Sequence, residues 1–365
     1  GNVRKLPDLT VKPHKGGYGM YYHFDYVGGP RNYKWINVSQ IQRIWEQMNL
    51  TYSHGVDRIW IVNVGDLKPM EYPISFFLDM AWNPAQFNSQ NLLSHTEKWC
   101  AAQFGEKYSK EAARLIDTYT KYSRRITPEL LNDTIYSLKN YNEFETVMND
   151  FRALALDAFR LYQQIPAESR DAFDQLVLFP INAFSNLYEM YFAVAKNKEL
   201  AKQYNPKANE WADKAKACFE RDSLLTLHYN TVISNGKWVH MMDQVRIGYT
   251  YWQQPVKSVM PTVVYVEPKE TGIFVEKDGY VSIEAEHYSR KGETEKIRWQ
   301  IIPNLGKTLS GITTFPQNSY PQSSDQIYLE FDFLSESEGE FPVHILVSPT
   351  LNFNQNKGLR YAVSI

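Results

Sequence analysis

His23 and Asp25 stand two residues apart in the stretch Tyr21-Tyr-His-Phe-Asp-Tyr-Val-Gly-Gly-Pro30, and strand alternation puts them on one face. Tyr21, Tyr22, Phe24 and Tyr26 crowd around them, and Gly28, Gly29 and Pro30 stop the strand. A His and an Asp on one face near a strand's end are groups that bind or react, an unusual thing to build for stability alone. A second cluster, Asn63, Gly65, Asp66, Lys68 and Glu71, ends the apolar run Arg58-Ile-Trp-Ile-Val-Asn-Val-Gly65. Each residue also has a plain structural reading. His23 can be a satisfied core histidine, Asp25 a brace for the Gly28-Gly29-Pro30 turn, and Asn63 a partner of a neighbouring strand's edge. Asp66 and Lys68 can be an exposed loop pair, worth little energetically.

The elements that must position these groups are legible. Residues 20–27 read as a strand. Ile41, Ile44, Trp45, Met48 and Tyr52 recur at helical spacing, with Asn37 or Ser39 as a cap and Gly55 closing the helix. The run 58–65, nearly continuous in apolar and β-branched residues, reads as a strand buried on both faces. Strand, helix and strand in about 45 residues make a βαβ unit. In a parallel sheet the carboxyl ends of both strands lie on one side, where α/β proteins place their sites. His23, Asp25, Tyr26, Asn63 and Asp66 are therefore expected in one pocket. Gly28-Gly29-Pro30 lacks the GxGxxG spacing and there is no P-loop, which favours a barrel over a nucleotide-binding sheet.

From about residue 91 to 254 the strand signals give way to amphipathic runs over 93–104, 112–122, 141–162, 172–200 and 211–233. Thr127-Pro128-Glu129 is a helix start, and Pro180 interrupts the fourth run. The expectation is a bundle of four or five helices whose Met, Tyr and Phe stripes are core. Pro255 and Pro261 mark a linker. Beyond it, short strands are expected over 263–266, 273–276, 280–286, 299–302, 327–333 and 343–347, with Asp278-Gly279 as a hairpin turn and a β-sandwich as the result. The chain stops at Tyr361-Ala-Val-Ser-Ile365 inside what reads as a strand. Only two barrel strands are legible where eight are needed, so truncation at both ends is an expectation.

Composition narrows the function classes. A net charge of -2 gives no broad basic field, so nucleic acid is not the expected partner. No apolar run approaches the roughly 18 residues of a membrane span. Cys100 and Cys218 fit neither a metal spacing nor a CxxC redox motif; two ordinary thiols or one long-range disulfide both remain open. The aromatic share of 15% is high; core packing accounts for most of it, and flat apolar faces with polar edges also suit sugar rings.

The runs Tyr21-Tyr-His-Phe-Asp-Tyr-Val-Gly-Gly-Pro-Arg-Asn-Tyr-Lys-Trp35 and His54-Gly-Val-Asp-Arg-Ile-Trp-Ile-Val-Asn-Val-Gly-Asp-Leu-Lys-Pro-Met-Glu71 closely resemble glycoside hydrolase family 115, the xylan α-glucuronidases, many of them from gut bacteria. The resemblance extends over essentially the whole chain. It implies the C-terminal part of a (β/α)8 barrel over 1–90, a helical bundle over 91–256 and a β-sandwich over 257–365. It also implies a secreted or periplasmic enzyme whose N-terminal domain and remaining barrel precede this chain, and whose sandwich serves homodimer contacts. The implied reaction removes glucuronic acid, or its 4-O-methyl ether, from glucuronoxylan or its oligosaccharides with inversion and without a cofactor. Inversion needs an acid and a base roughly 6.5–9.5 Å apart, and the acid that the resemblance implies lies outside this chain, so these residues alone are expected to be inactive.

By the same resemblance His23, Tyr26 and Asn63 match pocket positions. Asp25 and Asp66 join them from the strand-end argument, and Arg31 and Lys68 join as charges that can neutralise a uronate. His23 and the Asn63 amide can donate to the substrate carboxylate, and the Tyr26 hydroxyl can donate or accept. The run Tyr280-Val-Ser-Ile-Glu-Ala-Glu-His-Tyr288 resembles the opening strand of some carbohydrate-binding modules, in which the matching Glu holds calcium. Glu284 and Glu286 are suitable oxygen ligands, but alternation also describes any exposed strand face, and no metal is expected. The rival functional class is a non-catalytic carbohydrate-binding or assembly fragment. A partial barrel exposes its inner strands, so aggregation or reliance on the rest of the enzyme is expected.

Overall fold

In the computed structural model the described residues are 1–25, 28–29, 35–266, 274–319, 323, 325–335, 337–353 and 358–364. They form two compact units, the first over residues 1–202 and 206–265, the second over 203–205 and 266–365.

The first unit opens on a parallel pair. Strand β1 (Gly19–His23) lies beside β2 (Ile59–Asn63) in a register that sets Tyr21 against Ile61 and His23 against Asn63. Helix α1 (Ile41–Ser53) connects them, and Gly55 follows it in a left-handed conformation, φ 77°. The βαβ expectation therefore holds, with corrections. Neither Asn37 nor Ser39 caps α1: the cap position is Gln40, and Asn37 Oδ1 accepts instead from the Ser39 backbone N–H at 2.8 Å. Nor is β2 buried on both faces. Trp60 and Val62 pack on the core, while Ile59 and Ile61 are 61% and 53% exposed, as is Tyr21 beside them at 60%. An apolar run shows that a strand suits two covered faces, but burial needs a layer on each; among the described residues only one face of β1–β2 is covered.

Helix α2 (Glu71–Trp82) tolerates Pro73 because a proline in the first turn removes an N–H that lacks an intrahelical acceptor anyway. The run 91–254 yields α3 (Leu92–Phe104), α4 (Glu106–Ser123), α5 (Glu143–Tyr162), α6 (Ala167–Phe173), α7 (Phe179–Lys202) and α8 (Lys207–Thr231). Helix α7 packs on α8 and α5, and α3 on α4. Thr127-Pro128-Glu129 starts a single 3-10 turn, Pro128–Leu130, rather than a long helix. The interruption at Pro180 takes the form of a π-helical turn, Asp174–Leu178, between α6 and α7. Proline offers no N–H and crowds the carbonyl four residues back, and a wider turn relieves both. The core is aromatic: Trp35, Tyr119, Phe144, Phe151, Phe184 and Tyr188 are fully buried, with Phe151 and Tyr188 ring centroids 4.4 Å apart. Cys100 and Cys218 are buried and free, so the disulfide alternative closes; burial pushes their thiols up to about 12 and about 11.

The second unit holds short strands in two-stranded pairs: β3 (Phe274–Val275) with β8 (Phe333–Leu334), β4 (Arg290–Gly292) with β7 (Tyr328–Glu330), and β5 (Arg298–Ile302) with β6 (Gly311–Phe315). Asp278 and Gly279 make the expected tight turn, with φ 55° and 84° between the bridged residues Lys277 and Tyr280. The expected strands over 263–266 and 343–347 are not formed, and of the one over 280–286 only the Tyr280 bridge to Lys277 is present. Alternation marks a residue order that fits a strand, but a strand exists only where a partner supplies its hydrogen bonds. Glu284 accepts from Thr308 Oγ1 and Glu286 lies 3.6 Å from His287, so the two carboxylates have separate partners. No group of three or more His, Cys, Asp or Glu suited to a metal occurs among the described residues. No described helix is long and apolar enough to cross a membrane.

Candidate functional site

The carboxyl ends of β1 and β2 bring His23, Asp25 and Asn63 together. The Asn63 carbonyl accepts from the backbone N–H of Phe24 at 2.8 Å and of Asp25 at 3.3 Å, so the chain leaving β1 stays fastened to the end of β2. His23 Nδ1 lies 3.2 Å from the Asp25 carbonyl, and its ring meets Tyr21 edge-on with centroids 4.6 Å apart. Asn63 Oδ1 accepts from the Gly65 backbone N–H at 3.1 Å, which turns the loop and leaves the side-chain NH2 as the remaining donor of the amide.

Asp25 does not share a strand face with His23. The strand ends at His23, alternation stops with it, and Asp25 is 5% exposed where His23 is half-buried. Its carboxylate lies against Gly65, whose φ of +72° and missing side chain make room for it: a Cβ there would stand 3.1 Å from Asp25 Cβ. Asp66 is exposed in the same loop. Tyr26 and Arg31 lie outside the described residues.

Lys68 is turned inward, away from an Asp66 pair. Its ammonium meets Glu71 Oε1 at 2.5 Å, donates to Gln175 Oε1 at 3.0 Å and stands 4.0 Å from the centre of the Trp238 ring. Gln175 Nε2 completes the triangle, donating to Glu71 Oε1 at 2.7 Å. Gln175 comes from the π-helical turn, and the neighbouring Asp174 accepts from His228 Nε2 of α8 at 2.7 Å. Burial raises the Asp174 carboxyl above its usual range, against the opposing pull of His228.

Sequence reasoning assigned the helical region to core and missed its polar groups at the strand ends. The segment after α8 supplies most of them. Trp238 covers Lys68. Arg246, held by Asp222 at 2.9 Å and by Thr226, places its guanidinium 4.6 Å from the centre of the Trp35 ring in the loop that leaves β1. Tyr249 is buried and accepts from Gln244 Nε2 at 2.9 Å; burial raises its phenol, and the nearby Glu129 and Asp25 carboxylates add to the rise. The density of Trp, Tyr, Gln and Arg between residues 238 and 252 is the one sequence signal that pointed there.

Residues 1–130 match the family model described as glycosyl hydrolase family 115, and residues 273–365 match the one described as the C-terminal domain of that family. A solved structure described as a novel family GH115 4-O-methyl-α-glucuronidase with specificity for decorated arabinogalactans is similar to this chain, with a TM-score of 0.59 and 24% identity. The likeness covers 83% of this chain and 38% of that one, so this chain spans well under half the length of the solved relative. No curated protein matches the sequence.

Proposed function

The chain belongs to glycoside hydrolase family 115, and from that membership we propose that it carries part of the sugar pocket of an α-glucuronidase. The reaction is removal of glucuronic acid, or its 4-O-methyl ether, from a decorated xylan with inversion. The observation that carries this reading is the convergence of His23, Asp25 and Asn63 at the carboxyl ends of two parallel strands. A uronate offers a carboxylate and several hydroxyls. The Asn63 NH2 donates to it, because Oδ1 is engaged by Gly65. His23 stands at the same strand end with Nδ1 3.2 Å from the Asp25 carbonyl, and an imidazole there pairs with a sugar hydroxyl as donor or acceptor according to its tautomer. A buried polar group that pairs only with the right hydroxyl selects sharply. Lys68 is already countered by Glu71, so it holds the loop that carries Asp66.

Inversion also requires a general acid and a base that activates water, roughly 6.5–9.5 Å apart. The buried Asp25 carboxylate lies beside the pocket, and the general acid is assigned to the part of the enzyme outside this chain. That part and a homodimeric partner complete the assembly. A polymer substrate of this kind places the enzyme outside the cytoplasm, secreted or periplasmic. The substrate of the solved relative supports a second reading, in which the uronic acid is taken from a decorated arabinogalactan.

The test is uronic acid release from glucuronoxylan and from glucuronated arabinogalactan by the longest native polypeptide that carries this chain. Release from one polymer fixes the substrate. Asn63→Ala then lowers kcat/KM per folded molecule by roughly tenfold or more, the loss of about one charge-assisted hydrogen bond. Full activity of that variant removes Asn63 from the pocket, and release from neither polymer leaves the non-catalytic carbohydrate-binding role.

A further inference from the structure

The loop over residues 248–258 is built as a rigid stem with an uncharged aromatic tip. Its base is closed by the Val259 backbone N–H donating to the Ile247 carbonyl at 3.1 Å. Gly248, at φ +98°, lets the two sides approach: a Cβ there would stand 2.7 Å from Val259 Cβ. Ile247 is fully buried, Arg246 is locked to Asp222, and Tyr249 is buried against Gln244. Beyond this stem, Tyr251 and Trp252 are 52% and 39% exposed, with ring centroids 6.5 Å apart and planes at 80°. The Tyr251 hydroxyl donates to Gln253 Oε1 at 2.9 Å. From Gly248 to Val256 there is no charged side chain, and Gln253 and Gln254 stand exposed beside the rings.

We propose that Tyr251 and Trp252 form a stacking platform for the neutral pyranose main chain of the decorated glycan, adjoining the pocket that takes the uronic acid. This rests on the proposed function and assigns a second part of the substrate to a second surface. A pyranose ring presents a patch of C–H groups, which an aromatic face attracts through its quadrupole and desolvates, while its hydroxyls reach outward to amides. Two exposed rings with two glutamine amides match such a polymer, and the one charge of the loop, the exposed Lys257, stands beyond Val256 towards its closing end. The position is right as well. At the base of the stem the Arg246 guanidinium stands 4.6 Å from the centre of the Trp35 ring, in the chain between β1 and α1. On this proposal a main chain on the tip sends its side group to the strand ends.

The experiment uses the longest native polypeptide carrying this chain, with Tyr251→Ala and Trp252→Ala singly and together. Both side chains are exposed, so the melting temperature stays unchanged. The platform is supported if kcat/KM on the polymer falls roughly tenfold in the double variant, about 1.4 kcal/mol, while uronic acid release from a short aldouronic oligosaccharide holds. Unchanged polymer kinetics overturn it. An equal loss on both substrates also overturns it, because the rings then act within the pocket. If the unsubstituted protein releases uronic acid from no glycan, the activity fails and the platform is judged separately. Gel retardation by glucuronoxylan or arabinogalactan that disappears in the double variant supports it, and equal mobility of the two proteins overturns it.

Discussion

Asp25 and Gly65 are packed so closely that a single added carbon at residue 65 would stand 3.1 Å from Asp25 Cβ. The carboxylate that leaves β1 and the turn that leaves β2 therefore occupy one space, and the glycine is there for two independent reasons: its φ of +72° and that contact.

Gly65→Ala is expected to destabilise the protein by roughly 1–3 kcal/mol, through the left-handed backbone and the contact with Asp25 together. It should also displace the Asp25 carboxylate from its place against residue 65. Denaturant melts give the first effect, and uronic acid release per folded molecule gives the second. A variant that keeps full stability and activity shows that the loop relaxes without touching Asp25.

Removing Glu71 should cost more than removing the whole Lys68–Glu71 pair. Glu71→Ala strands the half-buried Lys68 ammonium and breaks the acceptor shared with Gln175, an expected loss of roughly 2–4 kcal/mol. Lys68→Met with Glu71→Gln leaves no unpaired charge and recovers part of that loss. A double-mutant cycle on unfolding free energy reads the coupling. Additive effects of the two positions remove the pair as the anchor of the 64–70 loop.

Asp174 makes stability depend on pH in a definite direction. Its carboxyl is raised above the ordinary 3.8, chiefly by burial, with His228 opposing and Asp171 adding to the rise. A native value above the unfolded one means that the folded state holds the proton more tightly. The stabilising contribution is then complete below about pH 3.8 and is lost as pH rises through the native value. In a His228→Gln background, which removes the imidazole's own titration, Asp174→Asn abolishes this loss. The stability of the protein with Asp174 intact, measured against its Asp174→Asn variant in urea melts, should therefore decline as pH rises from about 3.8 towards neutrality. A constant difference across that range shows that Asp174 ionises as readily folded as unfolded.

The βαβ unit was legible because its signals are local. Ile41, Ile44 and Met48 recur with the helix period and are all buried in α1, and Gly55 takes the positive φ that closes it. The Asp278-Gly279 turn is encoded in two residues and folds as read. The open face of Ile59 and Ile61 was not legible, since an apolar run carries no record of how many layers cover it. The strands expected over 263–266 and 343–347 failed for a related reason: alternation describes one chain, and a ladder needs two.

The sequence by itself determined α1 and the long amphipathic helices after residue 91, the pairing of β1 and β2, the side of the sheet on which His23 and Asn63 meet, and the family, but not α2 or the π-helical turn. Those properties follow from periods of two and 3.6 residues, from turn residues, and from long motif runs that need no knowledge of distant contacts. Only the tertiary structure decided that Asp25 turns inward against Gly65 instead of standing beside His23 on a strand face. It also decided that Lys68 pairs with Glu71 and Gln175, and that Trp238 and Arg246 return from beyond α8 to Lys68 and Trp35. The physical reason is that such contacts join residues far apart in the chain. Partner choice among distant polar groups depends on where packed helices carry them, and no local period records that.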